Sequence, residues 1–258
     1  MFKFIPLFSG SSGNAAYLRY GNDEVLIDAG VSCKALQTAL NSIGTDLSRI
    51  RALFVTHEHN DHIKGLEIIS KKYHIPVYIN TASLDGIEKP TVRAAVTPYA
   101  VVMGAGDCTD VGGIHAAAFK TPHDACGSVG YRFTFSDGTA VGYATDIGYV
   151  TKGIATALFG CETVVLESNH DVDMLKNGPY PYFLKQRILS DKGHLSNAAC
   201  AAFLPHLYTN GTKKVILAHL SEENNTPQLA YETAVAAISA AELDPAVCKL
   251  TVAMKSII

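Results

Sequence analysis

The sequence predicts an α/β fold, on three observations. Short β-rich runs alternate with runs of helical period from end to end. Two strand–helix–strand units echo one another: "VLIDAG", a helix and "ALFVTHEHND" in the first half, then "AVGYATDIG", a helix and "TVVLESNHD" in the second. No Pro/Gly-rich linker or low-complexity tract divides the chain, so residues 1–258 are expected to form one domain. Each echo ends one strand in an aspartate, Asp28 or Asp146, and the next in a polar loop carrying a histidine, His57 or His170. Two such halves facing each other would line these strand ends along one rim, where folds of this kind keep their chemistry.

The elements follow in order. "KFIPLF" and "NAAYLRY" read as short strands around the glycine-serine turn "SGSSG", and "EVLIDAG" as a third. "CKALQTALNSIG" has helical period and is stopped by Gly44. "IRALFVTH" is a strand, and residues 62–75 read as one helix with Ile63, Leu66 and Ile69/Tyr73 on a common face. "PVYIN" follows as a strand. Residues 94–135 look strand-rich, through "YAVVMG", "GIHAAAFKT" and "SVGYRFTF", and close on the turn "SDG". After "AVGYATDIG" come a helix-like "TKGIATALFG" and the strand "ETVVLESNHD". The last third holds the helix "NAACAAFLPHLY", the strand "KKVILAHLS", the helix "TPQLAYETAVAAISAAEL" and the strand "KLTVAM".

Bulk properties exclude several classes. No apolar run approaches the roughly 18 residues of a membrane span, and the N-terminus shows no secretory signal. Six cysteines are scattered without a CxxC pair, which reads as reduced thiols in a cytoplasmic protein. A formal net charge of −3 gives no global attraction to nucleic acid, so any polyanion would need a local patch.

"LFVTHEHNDH" crowds His57, Glu58, His59, Asp61 and His62 onto the end of an apolar run. Such a cluster costs desolvation unless something compensates it. A solvated turn needs no such histidine density, and a metal-free proton-handling cluster would have its histidines depress one another. Metal coordination accounts for neutral imidazoles mixed with ionised carboxylates.

"THEHNDH" resembles the HxHxDH signature of the metallo-β-lactamase-fold hydrolases. The likeness extends to His123 in "KTPHDA", Asp146 in "YATDIG" and His219 in "ILAHLSEEN", and so covers essentially the whole chain. It implies a four-layer αβ/βα sandwich and two divalent metal ions, zinc, manganese or iron, with no organic cofactor and no membrane. On the resemblance, His57, His59 and His123 hold the first ion, Asp61, His62 and His219 the second, and Asp146 bridges them. Asp61 also counts as catalytic, as an acceptor orienting the nucleophile.

The fold hosts many chemistries, so local features must choose the substrate. "LFSGSSGNAAYL", "ESNHD" and "KGHLSN", in that order, resemble the YycJ/WalJ-type branch of bacterial 5′-to-3′ double-stranded-DNA exonucleases. That implies a metal-dependent phosphodiester hydrolase with DNA as partner. The residues add support: Lys176, Lys185, Arg187 and Lys192 stand against one acid, Asp191, beside Tyr180, Tyr182 and Phe183. Lys185, Arg187, Ser196 and Asn197 are the candidate substrate contacts, although a basic run is also ordinary surface and Ser196–Asn197 could simply cap a helix. His194 is the candidate acid for the leaving oxygen, with His170 as second choice or accessory ligand. Ser11, Ser12 and Asn14 could line the rim or form a tight turn. A small-molecule hydrolase, of lactonase, thioesterase or cyclic-phosphodiesterase type, is the alternative; the net charge is its best support.

Overall fold

Each central strand is covered on both faces, which is why these strands read as unbroken apolar runs. The computed structural model describes residues 1–244 and 246–258. The first sheet contains β1 (Phe2–Phe8), β2 (Ala15–Tyr20), β3 (Asp23–Ile27), β4 (Ile50–Phe54), β5 (Val77–Ile79) and β6 (Ala100–Val102), side by side in chain order. Among its segments lie helices α1 (Cys33–Ser42), α2 (Asn60–Ile63), α3 (Leu66–Tyr73), α4 (Thr81–Gly86) and α5 (Pro90–Val96). The second sheet also keeps chain order: β7 (Cys108–Val111), β8 (Ile114–Lys120), β9 (Val129–Phe135), β10 (Ala140–Ala144), β11 (Thr163–Glu167), β12 (Lys214–Ala218) and β13 (Lys249–Val252). With it go α6 (Lys152–Leu158), α7 (Val172–Asn177), α8 (Tyr182–Ile188), α9 (Asn197–Thr209) and α10 (Pro227–Ala240).

The period of two along each strand sorts the side chains into three apolar layers. Val25, Ile27, Ala52 and Phe54 of the first sheet meet Tyr131, Phe133, Val141 and Val165 of the second. The alternate residues Leu26, Leu53, Val77 and Ile79 turn outward onto Leu36, Leu40, Leu66 and Val92 of the first helix layer. On the far side Val164, Leu166, Val215 and Leu217 pack on Leu158, Leu204, Ala234 and Ile238. The result is the expected four-layer αβ/βα sandwich. Phe54 joins the two sheets, lying edge-on to Tyr131 and Phe133 at 5.4 and 5.3 Å, and the Tyr131 hydroxyl donates to the Val55 carbonyl at 2.6 Å.

Both echo units are parallel strand–helix–strand pairs, β3–α1–β4 and β10–α6–β11, one in each sheet. Several local readings are corrected. Residues 62–75 are not one helix: the Asp61 carbonyl accepts from the Asn14 amide (2.8 Å), and the Gly65 amide donates to Ala29 (2.8 Å). With those groups diverted, the helical ladder breaks between α2 and α3. Ala94–Val96, read as the start of a strand-rich stretch, lie in α5. Helices α4, α5, α7 and α8 and strand β7 were not legible as such; the four helices have at most seven residues each, too few to show a period. No helix among the described residues is long and apolar enough to cross a membrane. All six cysteines are free thiols.

Candidate metal centre

The seven histidine and aspartate residues expected as ligands come from four strand ends and one short helix. His57 and His59 follow β4, Asp61 and His62 open α2, and His123, Asp146 and His219 follow β8, β10 and β12. The backbone turns sharply where it delivers them. Asp28, Asp146 and His219 are left-handed, with φ of 59°, 56° and 57°. Such angles are uncommon outside glycine, though Asp and His tolerate them better than most residues. Local bonds hold the turn at His219: its amide donates to Ser9 Oγ (2.8 Å), and Asn169 Nδ2 donates to its carbonyl (2.8 Å). Gly30 is required for a different reason. A Cβ there would lie 1.6 Å from the Asp61 carbonyl oxygen, so only glycine lets the histidine loop lie against the first sheet.

Potential ligand atoms gather into sets that each lie within 4.8 Å: His57, His59 and His123; Asp61, His62 and His219; and His57, His62 and Asp146. His123 Nε2 is 3.3 Å from His59 Nδ1, and Asp61 Oδ2 is 3.5 Å from His62 Nε2 and 3.7 Å from His219 Nε2. Asp146 stands between the sets, with Oδ2 at 3.3 Å from His62 Nε2 and Oδ1 at 3.9 Å from His123 Nε2.

The donor set fits divalent cations. His57 Nε2, His219 Nε2 and Asp146 Oδ2 are buried and have no hydrogen-bond partner, a costly arrangement unless a cation meets them. Charge balance points the same way. Burial opposes a charged ring at His62, yet Asp146, Asp28 and Asp61 hold its pKa well above the imidazole range. Burial likewise opposes it at His219, where Asp146, Asp61 and Glu167 push the pKa up to about 10. At His57, burial and then the charges of His62, His123 and His59 push the pKa well down. Without metal, the buried carboxylates must be balanced by protons on some of these rings; divalent ions supply that charge instead.

Outer residues fix the rings. His62 Nδ1 donates to Asp28 Oδ2 at 2.8 Å, and Asn14 Nδ2 lies 3.1 Å from His62 Nε2. Glu167 is fully buried at the end of β11, and its Oε1 accepts from both His219 Nδ1 and His194 Nδ1 at 2.8 Å. Carboxylates that anchor ligand histidines in this way set tautomer and orientation. Glu167 was missed in the sequence, although its signal was present as the acid ending the otherwise apolar run "TVVLE". Its proximity also places Asp146, Glu167, His194 and His219 together as a further metal-capable set. Because both histidine Nδ1 atoms there already donate to Glu167, the free nitrogens of those rings are the Nε2 atoms.

The other expected site residues separate. His194 lines a cavity of about 230 Å³ with His59, Asp61, Asp146 and His219. Arg187 also lines it and is ion-paired with Asp124. Lys185 instead donates to the Lys176 carbonyl at 2.8 Å and is not on the cavity wall. Ser196 caps α9, accepting from the Ala199 amide at 3.2 Å. Asn197 is buried and bound to Ser168 and Asn225, which corrects its reading as a substrate contact. His170 is also buried, joins none of the metal-capable sets, and has neither ring nitrogen bonded. The echo paired it with His57, but Glu167, three residues earlier, is the residue that faces the centre. The glycine-serine turn does both things considered for it: Gly13 donates back to Gly10 at 3.0 Å, Asn14 touches the centre, and Ser11 lines the cavity.

Residues 23–220 match the family described as the Beta-lactamase superfamily domain. The chain belongs to that superfamily, in its metallo-β-lactamase fold, and is a metal-dependent hydrolase. Among its relatives, exodeoxyribonuclease YycJ of Bacillus anthracis is 37% identical over 227 residues, 88% of this chain and 85% of that protein. Exodeoxyribonuclease WalJ of Streptococcus pneumoniae is 37% identical over 243 residues, 94% of this chain and 90% of that protein. Two solved structures share the fold at low identity. YhfI of Bacillus subtilis has a TM-score of 0.74 at 15% identity, covering 99% of this chain and 98% of its own. Zn²⁺-bound PqqB of Methylobacterium extorquens has a TM-score of 0.74 at 14% identity, covering 100% and 99%.

Proposed function

We propose that this chain is a 5′-to-3′ exonuclease of double-stranded DNA that uses two divalent ions. His57, His59 and His123 would hold one ion, Asp61, His62 and His219 the other, with Asp146 shared. When bound, such a pair lowers the pKa of a water and neutralises charge on the attacked phosphate. The protein's own groups supply the rest. Asp61 orients the attacking water. Arg187, steadied by Asp124, neutralises a nonbridging phosphate oxygen. The water gives up one proton to bulk solvent; as its oxygen bonds to phosphorus and the P–O3′ bond breaks, His194 Nε2 gives its proton to O3′, while Glu167 holds the Nδ1 proton and the ring's orientation.

The observation that carries this reading is His194 on Glu167, in one cavity with the ligand cluster and Arg187, in a chain 37% identical to two exodeoxyribonucleases. The cavity volume, about 230 Å³, lies below the roughly 300–1,000 Å³ of drug-sized sites and suits one nucleotide end better than a base pair. That size also favours the alternative, a hydrolase of small phosphodiesters. End-labelled duplex DNA, single-stranded DNA and RNA, each incubated with Mn²⁺, Mg²⁺ or Zn²⁺, decide the matter. Stepwise loss of nucleotides from duplex 5′ ends is expected. No cleavage of any of the three, with turnover of bis(p-nitrophenyl) phosphate, would overturn it in favour of the small-molecule reading.

A further inference from the structure

Next to the metal cavity lies a second recess: Asp124 and Gly193 line the cavity, and their chain neighbours His123 and Lys192 line the recess. It is an open groove of about 780 Å³, more than three times the 230 Å³ of the cavity itself. Lys120, Lys192 and Tyr149 line it with the hydroxyl residues Thr121, Ser128 and Thr151; Asp191 is the one acid among its lining residues. Tyr149 is 48% exposed, so an aromatic face stands free at the rim.

The two loops that border both cavity and groove are tied to each other. His123 Nδ1 donates to the Gly193 carbonyl at 3.2 Å, and the Asp124 amide donates to the Lys192 carbonyl at 3.0 Å. Gly148 donates to the Pro122 carbonyl at 2.8 Å and packs so closely that a Cβ there would lie 2.1 Å from the Asp191 carbonyl oxygen. The loop carrying Lys192 is thereby fixed to the loop carrying His123. Cavity and groove therefore keep a fixed position relative to each other.

We propose that the groove binds single-stranded DNA continuous with the nucleotide in the metal cavity. Lys120 and Lys192 contact its phosphates, and Tyr149 stacks on a base. Exposed lysines beside an exposed aromatic ring are the chemistry that holds an unpaired strand without reading its sequence. The inference rests on the DNA reading above and adds to it: where an end carries an unpaired tail, the groove holds that tail and aids cleavage.

The test uses metal-loaded enzyme and duplexes with single-stranded ends of increasing length, from none to six nucleotides. The wild-type kcat/KM is expected to climb with tail length and level off within that range. Lys120→Glu and Tyr149→Ala should each remove that climb, costing about tenfold on the longest tails. Lys120→Glu should also flatten the salt dependence by about 0.7 for the lost phosphate contact. Blunt-end cleavage and hydrolysis of bis(p-nitrophenyl) phosphate should stay at wild-type rates. Wild-type tail dependence in both variants overturns the groove, as does an equal loss on the small ester, which would mark a structural effect. A wild-type enzyme that hydrolyses the ester but no DNA end overturns the exonuclease reading, and the groove with it.

Discussion

Replacing Glu167 by glutamine probes the residue on which two histidines depend. The carboxylate accepts from His194 Nδ1 and His219 Nδ1, each at 2.8 Å, and from the amides of Ile147 (2.7 Å) and Leu195 (3.2 Å). A glutamine of the same shape keeps one acceptor oxygen and turns the other into a donor. Whichever way the amide lies, one pair of donors loses its acceptor. Hydrogen bonds to a charged group contribute about 1.5–3 kcal/mol each, so the loss is about 3–6 kcal/mol before relaxation. At roughly 2–4 °C per kcal/mol for a domain of somewhat smaller size, Tm should fall by about 6–24 °C. Turnover of DNA should fall at least ~100-fold with the acid misplaced. Metal affinity should weaken about 10–100-fold as His219 loses its anchor. The assays are thermal melts, metal titration of the stripped protein, and turnover of DNA against a p-nitrophenyl ester, whose leaving group needs little protonation. A variant with wild-type metal affinity and wild-type DNA turnover would refute the role assigned to Glu167.

Asp146→Ala should weaken both metal sites together because its two oxygens face different histidines; elemental analysis returning two undiminished ions would contradict that. Chelation should destabilise the holoprotein by about 2.7 kcal/mol relative to free metal at a hundred times Kd, and a Tm indifferent to chelator would argue against metal at the buried nitrogens. Arg187→Ala should raise KM for DNA and lower the salt slope by about 1, whereas Lys185→Ala should change little, since Lys185 bonds the Lys176 carbonyl. Equal effects of the two would return Arg187 to ordinary surface. Phe54→Ala, at a fully buried site between the sheets, should cost about 3–5 kcal/mol in urea unfolding, and an unchanged midpoint would show that the sheets do not depend on it.

What the chain shows along its length is what neighbouring residues share. Apolar runs such as "EVLIDAG" and "TVVLE" mark strands covered on both faces, because period-two sorting sends alternate side chains into different layers. The density of "THEHNDH" shows a metal site, because no cheaper environment accommodates that many imidazoles and acids. His123, Asp146 and His219 could be named only through the family likeness, since no spacing rule joins them to His57. The helices α7 and α8 escaped notice because six or seven residues, in part around "NGPYPYF", carry too little period to distinguish helix from loop.

Three-dimensional packing decided the remainder. Asn197 and His194 lie in the same polar stretch, yet one amide is committed to Ser168 and Asn225 while the other side chain reaches the cavity. Glu167 outranks His170 because the residue ending β11 faces the centre, while the residue three positions on is buried away from the ligand sets. Asp28 and Asp146 share a left-handed turn at equivalent strand ends, but one supports His62 from behind and the other faces two ligand sets. Sequence determines which residue types are available at each strand end. Which of them converge depends on the two sheets closing face to face, a contact among residues far apart in the chain, such as Val55 and Tyr131.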